Sequence, residues 1–97
     1  MKALIVIRYG AGFSQWNDPN LAVDQRVIKT FEENPEMDID EFKSMCESFG
    51  YDDVHILPED FEWLRVAEVP ENVYFRIIAY DGCETLEVLD LDEWFHS

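Results

Sequence analysis

Hydrophobic residues recur along the chain with two spacings, one typical of strands and one typical of helices. Residues 3–9 form an apolar run rich in β-branched side chains, which predicts a central strand buried on both faces. Asp18-Pro19 then matches a helix N-cap followed by proline in the first turn. Asn34-Pro35 ends the helical spacing that follows. We therefore predict a first helix between these two pairs.

The next segment has the clearest helical pattern in the chain. Asp38 and Glu41 have the spacing of a capping box, in which the two side chains satisfy backbone N–H groups at the helix start. Gly50 suits the left-handed residue that follows a helix. The apolar residues between them recur at three- and four-residue intervals: Ile39, Phe42, Met45, Cys46 and Phe49. The pattern predicts a second helix with the Cys46 thiol in the core.

Strand-forming residues dominate the chain after the second helix. Short apolar segments predict strands over residues 53–57 and 62–69, each ended by a proline. Asp81-Gly82 separates two longer segments, 73–80 and 83–89. Because Asp-Gly favours the two-residue type I′ turn, these segments are predicted to form a hairpin.

The predicted order of elements is β-α-α-β-β-β-β. Strands that cluster after helices are typical of the α+β class. We expect a single α+β domain over residues 1–97, with a four- to five-stranded, mostly antiparallel sheet and two helices on one face.

The hairpin turn sets a register that sorts the side chains onto two faces. Arg76 falls opposite Glu87, where the two charges can form a cross-strand ion pair. One face, which we orient toward the helices, carries Phe75, Ile77, Ala79, Glu84, Leu86 and Val88. The other face carries Tyr74, Arg76, Ile78, Tyr80, Thr85 and Glu87. This second face is either an ordinary solvent face or a contact surface, since interfaces favour Tyr and Arg.

The charge balance argues against several classes of partner. Asp and Glu number 22 against 7 Lys and Arg, a formal net charge of −15, while 47% of the residues are hydrophobic. That apolar content is enough for a folded core. Nucleic acids and anionic membranes attract basic proteins, so the chain is expected to bind neither directly. We expect a partner with a basic protein surface.

The acids are concentrated in the second half of the chain. Residues 1–48 hold 9 acids and 5 bases, a net charge of −4, and residues 49–97 hold 13 acids and 2 bases, a net charge of −11. Duplex DNA carries one charge per about 1.7 Å of axis, so mimicry of a nucleic acid is physically possible for a domain this small. Plain solubility is the alternative. The predicted partner-binding residues are Glu59, Asp60, Glu62, Asp90, Asp92 and Glu93, with Trp16 and Tyr80 as anchors.

The glycine-rich loop of residues 10–17 is a second candidate site. Gly10 and Gly12 lie between a strand and a helix, where a phosphate-binding loop would lie, but the remaining motif residues of such loops are missing. The glycines more simply permit a turn with positive φ. Phe13 and Trp16 in this loop either pack on the core or anchor a partner.

Other chemically reactive residues form no catalytic or metal-binding set. His55 and His96 make a poor acid–base pair, and Cys83 has acids beside it rather than the bases that favour a thiolate. The acid clusters lack the glycine and spacing of a calcium loop. We therefore predict that the protein is not an enzyme and needs no cofactor or metal.

The N-terminal segment and the cysteine usage indicate a cytoplasmic protein. The first apolar run ends at Arg8, which is too soon for a signal peptide, and no run approaches the ~20 residues of a membrane span. Cys46 and Cys83 form no CxxC pair, and a disulfide is not expected in that compartment.

The chain resembles the small acidic proteins that phages use against host defences, including anti-CRISPR proteins and DNA mimics. The resemblance covers size, the net charge of −15 and three acid-rich stretches: Asp52-Asp53, Glu59-Asp60-Phe61-Glu62 and Asp90-Leu91-Asp92-Glu93. The segments RYGAGFSQW (8–16) and YDG (80–82) are also similar to small phage proteins. The resemblance implies stoichiometric inhibition of a CRISPR effector or defence nuclease in the host cytoplasm, by occupation of its nucleic-acid-binding site.

Two other functions stay open. The protein can be an acidic interaction module, monomeric or a homodimer joined through the outer hairpin face. It can also be a small ligand-binding protein that uses the loop of residues 10–17.

Overall fold

The strands of the protein form two antiparallel pairs. The computed structural model describes residues 1–71 and 73–90. The pairs are β1 (Lys2–Val6) with β2 (Leu64–Glu68), and β3 (Val73–Tyr80) with β4 (Cys83–Asp90). The α+β class is confirmed. Within the described residues, however, the four strands form two two-stranded sheets rather than one sheet of four or five strands.

A buried carboxylate explains why the two sheets remain separate. β1 and β4 are in contact, but the backbone N–H of Val6 donates to the side chain of Glu84 on β4, at 2.9 Å. A side-chain acceptor therefore takes the place that a backbone carbonyl would hold in a continuous sheet.

Three helices lie between β1 and β2, with two single turns of 3-10 helix before them. The helices are α1 (Gln25–Glu33), α2 (Ile39–Ser48) and the four-residue α3 (Pro58–Phe61). Residues 53–57, which we predicted as a strand, lie outside any strand. The reason is a contact with a residue distant in the chain: the backbone N–H and C=O of His55 both bond to the side chain of Asn17, at 2.8 Å each, and not to a neighbouring strand.

The starts of α1 and α2 follow the rules of helix capping. α2 begins as predicted, because the Asp38 carboxylate accepts from the Glu41 N–H at 2.8 Å. α1 begins later than predicted: Asp24 is its N-cap and accepts from the Arg26 N–H at 3.0 Å. Asp18 instead accepts from the Asn20 N–H and forms a turn ahead of the helix.

An aromatic cluster joins the three helices and the first loop. Phe42 of α2 is fully buried, and its ring centroid lies 6.0 Å from Phe13, 5.6 Å from Phe31 and 5.5 Å from Phe61. Such contacts contribute about 0.5–1.5 kcal/mol beyond the area that they bury. Phe13 therefore belongs to the core, and the anchor alternative for this residue is excluded.

The hairpin of β3 and β4 has the predicted register. Asp81 (φ 48°) and Gly82 (φ 80°) form the turn, and every cross-strand pair matches the expected alignment. Arg76 and Glu87 form the expected ion pair at 2.9 Å. Because Arg76 is exposed and Glu87 is only half-buried, the pair contributes under about 1 kcal/mol. On the face that we oriented toward the helices, Glu84 is buried and Phe75, Ile77 and Leu86 are half-buried. Ala79 and Val88 on the same face are exposed, so the inward orientation is wrong for these two residues.

Candidate functional site

Three glutamates line one surface depression where α1 turns into α2. We call this set, Glu33, Glu36 and Glu41, the acidic corner. The depression has a volume of about 500 Å³, and its remaining lining residues, Asn34, Pro35 and Met37, carry no charge. No ion pair within the described residues involves any of the three glutamates. Their charges are therefore available to a partner.

The outer face of α2 extends this acidic surface. Asp40, Glu41 and Glu47 are exposed, while Phe42 and Cys46 on the opposite side are fully buried. A helix has 3.6 residues per turn, so positions 40, 44 and 47 lie on one face. Ser44 and the half-buried Lys43 lie between the two acids on this face, so the acidic stripe also contains one lysine.

The structure separates the predicted partner-binding acids into different environments. Glu59 and Glu62 are exposed at α3, whereas Asp60 between them is only 1% exposed and is inaccessible to a partner. Asp90 is the last residue of β4, and the environment of its side chain lies outside the described part of the structure. Asp92 and Glu93 also lie outside the described residues. Of the six acids predicted to bind a partner, Glu59 and Glu62 are those that the structure describes as exposed.

Helix α3, which carries Glu59, is packed against α2 through an aromatic contact. Phe61, which lies one residue before Glu62, packs its ring against Phe42 of α2 at 5.5 Å between centroids. Glu41 of the acidic corner is the residue before Phe42. The two helices that carry Glu41 and Glu59 are therefore packed together through their buried side, while both glutamates are exposed.

Two buried carboxylates hold the loop of residues 10–17. Asp60 accepts from the Ala11 N–H at 3.2 Å. Glu84 accepts from both the N–H and the hydroxyl of Ser14, in addition to the N–H of Val6. Each buried acceptor is satisfied by neutral donors, which is how a buried carboxylate is tolerated without a cation. These acids act within the fold and not on its surface.

The hairpin turn closes against the same loop. The Gly10 N–H donates to the Asp81 carbonyl at 2.8 Å. A side chain at Gly82 would overlap the backbone of Gly10, so the close approach requires glycine there. The loop is consequently fixed from two sides, by the turn and by the carboxylates.

The two predicted anchors are both exposed. Trp16 is 59% exposed, and its indole N–H donates to the Ala11 carbonyl. Tyr80 is 74% exposed and meets Tyr9 edge to face, with 6.3 Å between ring centroids. Because these side chains contribute little to the core, their exposure is compatible with contact to a partner.

A charged network supports the helices below this surface. Hydrogen bonds from Arg26 and from the Tyr51 hydroxyl (2.7 Å) hold the pKa of Asp24 well below its usual range. Burial and the bond to Asp24 raise the pKa of Tyr51 to about 12. Burial also raises the pKa of the Cys46 thiol to about 12, so this cysteine is unreactive in the folded protein.

The acidic corner was missed at the sequence level. Its glutamates were counted in the half of the chain with the smaller net charge of −4. The available signal was their position around Asn34-Pro35, because a tight connection between two helices brings its flanking residues together on the surface.

Comparisons with protein families, with curated proteins and with solved structures found no match to the chain. No helix within the described residues is long and apolar enough to cross a membrane. In the same residues, no three His, Cys, Asp or Glu side chains are grouped as a metal site requires. The surface described above is therefore interpreted from its own chemistry.

Proposed function

We propose that the protein is a non-enzymatic binding protein whose acidic surface occupies a basic, nucleic-acid-binding surface of another protein. The observation that carries this proposal is the acidic corner, where three glutamates line one depression that no base shares. Its carboxylates would pair with Arg and Lys side chains that otherwise hold phosphates.

The dimensions of the molecule support a nucleic-acid-like charge density. Its longest extent is 47 Å. Duplex DNA of that length carries roughly 28 phosphate charges at one per 1.7 Å of axis. The chain has 22 acids and a net charge of −15, which is about half of that number.

The accessible acids favour the helices over the hairpin as the contact surface. In the second half of the chain Asp60 and Glu84 are buried, and Glu87 is paired with Arg76. In the helical region Asp40 and Glu47 are exposed and extend the acidic corner along α2. The footprint that we propose is the acidic corner with the outer face of α2 and with Glu59 and Glu62 of α3.

The resemblance to phage anti-defence proteins suggests the class of target. A CRISPR effector or defence nuclease in the host cytoplasm offers a basic groove of the required kind. Inhibition would be stoichiometric, because the surface would compete with nucleic acid and would carry out no reaction.

Matched double variants test the location of the footprint. Glu36→Gln with Glu41→Gln, and Glu59→Gln with Glu62→Gln, each remove two charges from the proposed footprint, and Glu68→Gln with Glu71→Gln removes two exposed charges elsewhere. Exposed ion pairs contribute about 0.2–1 kcal/mol each, so the footprint variants should lose about 2- to 30-fold in affinity for the isolated partner. The control should lose less than the footprint variants at every salt concentration. If all three double variants lose affinity for the partner equally, the proposed footprint is wrong.

The outer hairpin face supports a second candidate function, that of a homodimer. Tyr74, Ile78 and Tyr80 are 63%, 40% and 74% exposed on this face. β3 has only β4 as a strand partner among residues 1–71 and 73–90, so a second copy could pair with its other edge. A dimer seen by light scattering should persist in high salt and be broken by Ile78→Asp. The control Leu57→Asp should leave it intact, and a monomer at all concentrations rules out this function.

A further inference from the structure

A pocket beside Trp16 differs in charge from the rest of the surface. The pocket, which we call the Trp16 pocket, lies between the loop at Ala11-Gly12, Lys43 of α2 and residues 55–57, and it has a volume of about 570 Å³. Its lining includes Lys43 and His55 and no Asp or Glu. In a chain with 22 acids and 7 bases, this is a local reversal of the overall charge.

The walls of the Trp16 pocket are largely apolar and accessible. Trp16 is 59% exposed and Leu57 is 51% exposed, and the buried Ile56 also lines the pocket. The indole N–H of Trp16 already donates to the Ala11 carbonyl, so a ligand that covers the ring leaves no donor unpaired. Pockets that take small molecules have about this volume and combine an apolar wall with few polar groups.

The pocket is also held in shape before any ligand arrives. The Asn17 side chain bonds to the backbone N–H and C=O of His55, at 2.8 Å each, and ties the loop to residues 55–57. On the other side of the loop, the Asp60 carboxylate accepts from the Ala11 N–H. A preformed site loses less conformational entropy on binding than a mobile one.

We infer that the Trp16 pocket binds a small organic carboxylate with a flat apolar body. The body would lie on the indole ring and on Leu57, and the carboxylate would face Lys43 and His55. A carboxylate fits better than a phosphate because it carries one negative charge, which matches the one lysine of the lining, whereas a phosphate monoester carries between about 1.5 and 2. This site uses none of the glutamates of the acidic corner, so it stands independently of the proposed function.

The inference is tested with 1-naphthoate and its neutral isostere 1-naphthamide, by NMR titration of the whole ¹⁵N-labelled chain. We expect 1-naphthoate to shift the Trp16 indole N–H and the Lys43 and His55 amides in a saturable way. A Kd of about 1 mM or tighter is within reach of a ligand of about 13 non-hydrogen atoms. 1-Naphthamide should bind at least about 3-fold more weakly, since it lacks the charge.

Two matched pairs of variants locate the site. Lys43→Gln should weaken 1-naphthoate binding by at least about 3-fold, and Lys29→Gln, which removes an exposed lysine of α1, should leave it within about 2-fold. Trp16→Leu should weaken binding more than Trp63→Leu does, because Trp63 does not line the pocket. The inference is overturned by equal binding of acid and amide, by equal effects of the two lysine variants, or by the absence of saturable shifts at about 10 mM.

Discussion

Glu84→Gln is the substitution that tests the architecture most sharply. The Glu84 carboxylate is 1% exposed and accepts three hydrogen bonds, from the Val6 N–H, the Ser14 N–H and the Ser14 hydroxyl. Glutamine has the same shape, but one of its two terminal atoms becomes an NH₂ group. Whichever way this amide is turned, its NH₂ faces a backbone N–H, and at least one buried donor loses its acceptor.

The expected loss in the free energy of unfolding follows from the missing hydrogen-bond acceptor. A buried donor left unpaired costs about 1–3 kcal/mol, and the remaining bonds lose the strength that a charged acceptor confers. We therefore expect the free energy of unfolding to fall by about 2 kcal/mol. For a domain of this size that corresponds to a fall in Tm of roughly 8–16 °C. Glu84→Ala, which removes all three acceptor contacts, should be more severe.

The assay is urea unfolding followed by tryptophan fluorescence and far-ultraviolet circular dichroism. Glu87→Gln is the matched control, since Glu87 lies on the same strand and pairs with the exposed side chain of Arg76. That variant should lose less than about 1 kcal/mol. If Glu84→Gln and Glu87→Gln unfold within about 0.5 kcal/mol of each other, Glu84 does not join the two sheets and the loop as described.

Three further results are expected. Gly82→Ala should destabilise the protein by at least about 2 kcal/mol more than Gly50→Ala in the same urea assay, because both glycines have positive φ but only Gly82 faces backbone atoms that a side chain would overlap; equal effects contradict the packing of the turn on the loop. Asp24→Asn should have a lower Tm than the wild type at pH 7. The lowered pKa of Asp24 means that its contribution is complete above about pH 4 and is lost progressively as the pH falls toward the lowered pKa of the folded state. The Tm difference should therefore be smaller at about pH 3 than at pH 7 and smaller again at about pH 2, and a constant gap argues against the network. A thiol reagent should modify the half-exposed Cys83 in the folded protein and Cys46 only after unfolding; equal rates contradict the burial of Cys46.

Local patterns predicted the elements whose residues interact mainly with each other. α2 has its cap at Asp38 and its apolar spacing within ten residues. The hairpin register depends only on the Asp81-Gly82 turn and on strand alternation, and both are present as expected. Interactions within about ten residues are visible in a pattern because the same residues supply both partners.

The elements that differ from expectation depend on partners distant in the chain. Residues 53–57 have the composition of a strand, but Asn17 takes the backbone groups of His55. The strands divide into two sheets because Glu84 replaces a backbone acceptor beside Val6. No local pattern distinguishes these side chains from ordinary surface residues.

One signal for Glu84 was nevertheless present in the sequence. The predicted hairpin register placed this acid on the face oriented toward the helices, among Phe75, Ile77 and Leu86. A charged residue on an apolar face is either an error of register or a buried group with dedicated donors. Because the register is confirmed, Glu84 is a buried group with dedicated donors.

The burial of acids also changes how the net charge should be interpreted. The sequence assigned a net charge of −11 to residues 49–97 and −4 to residues 1–48. Asp60 and Glu84 in the second half are buried, and the acids of the acidic corner in the first half are exposed. Without these two buried acids the second half has a net charge of −9, so burial narrows the contrast between the two halves and does not reverse it.

Competition for a partner tests the central claim most directly. A nucleic-acid-binding protein isolated through this chain is mixed with its labelled nucleic acid, and the fraction of bound nucleic acid is measured as the acidic protein is added. The proposed function predicts complete displacement at a stoichiometric ratio, with an affinity that falls as salt is raised. A ternary complex, in which the partner holds the nucleic acid and the acidic protein together without loss of affinity for either, would contradict it.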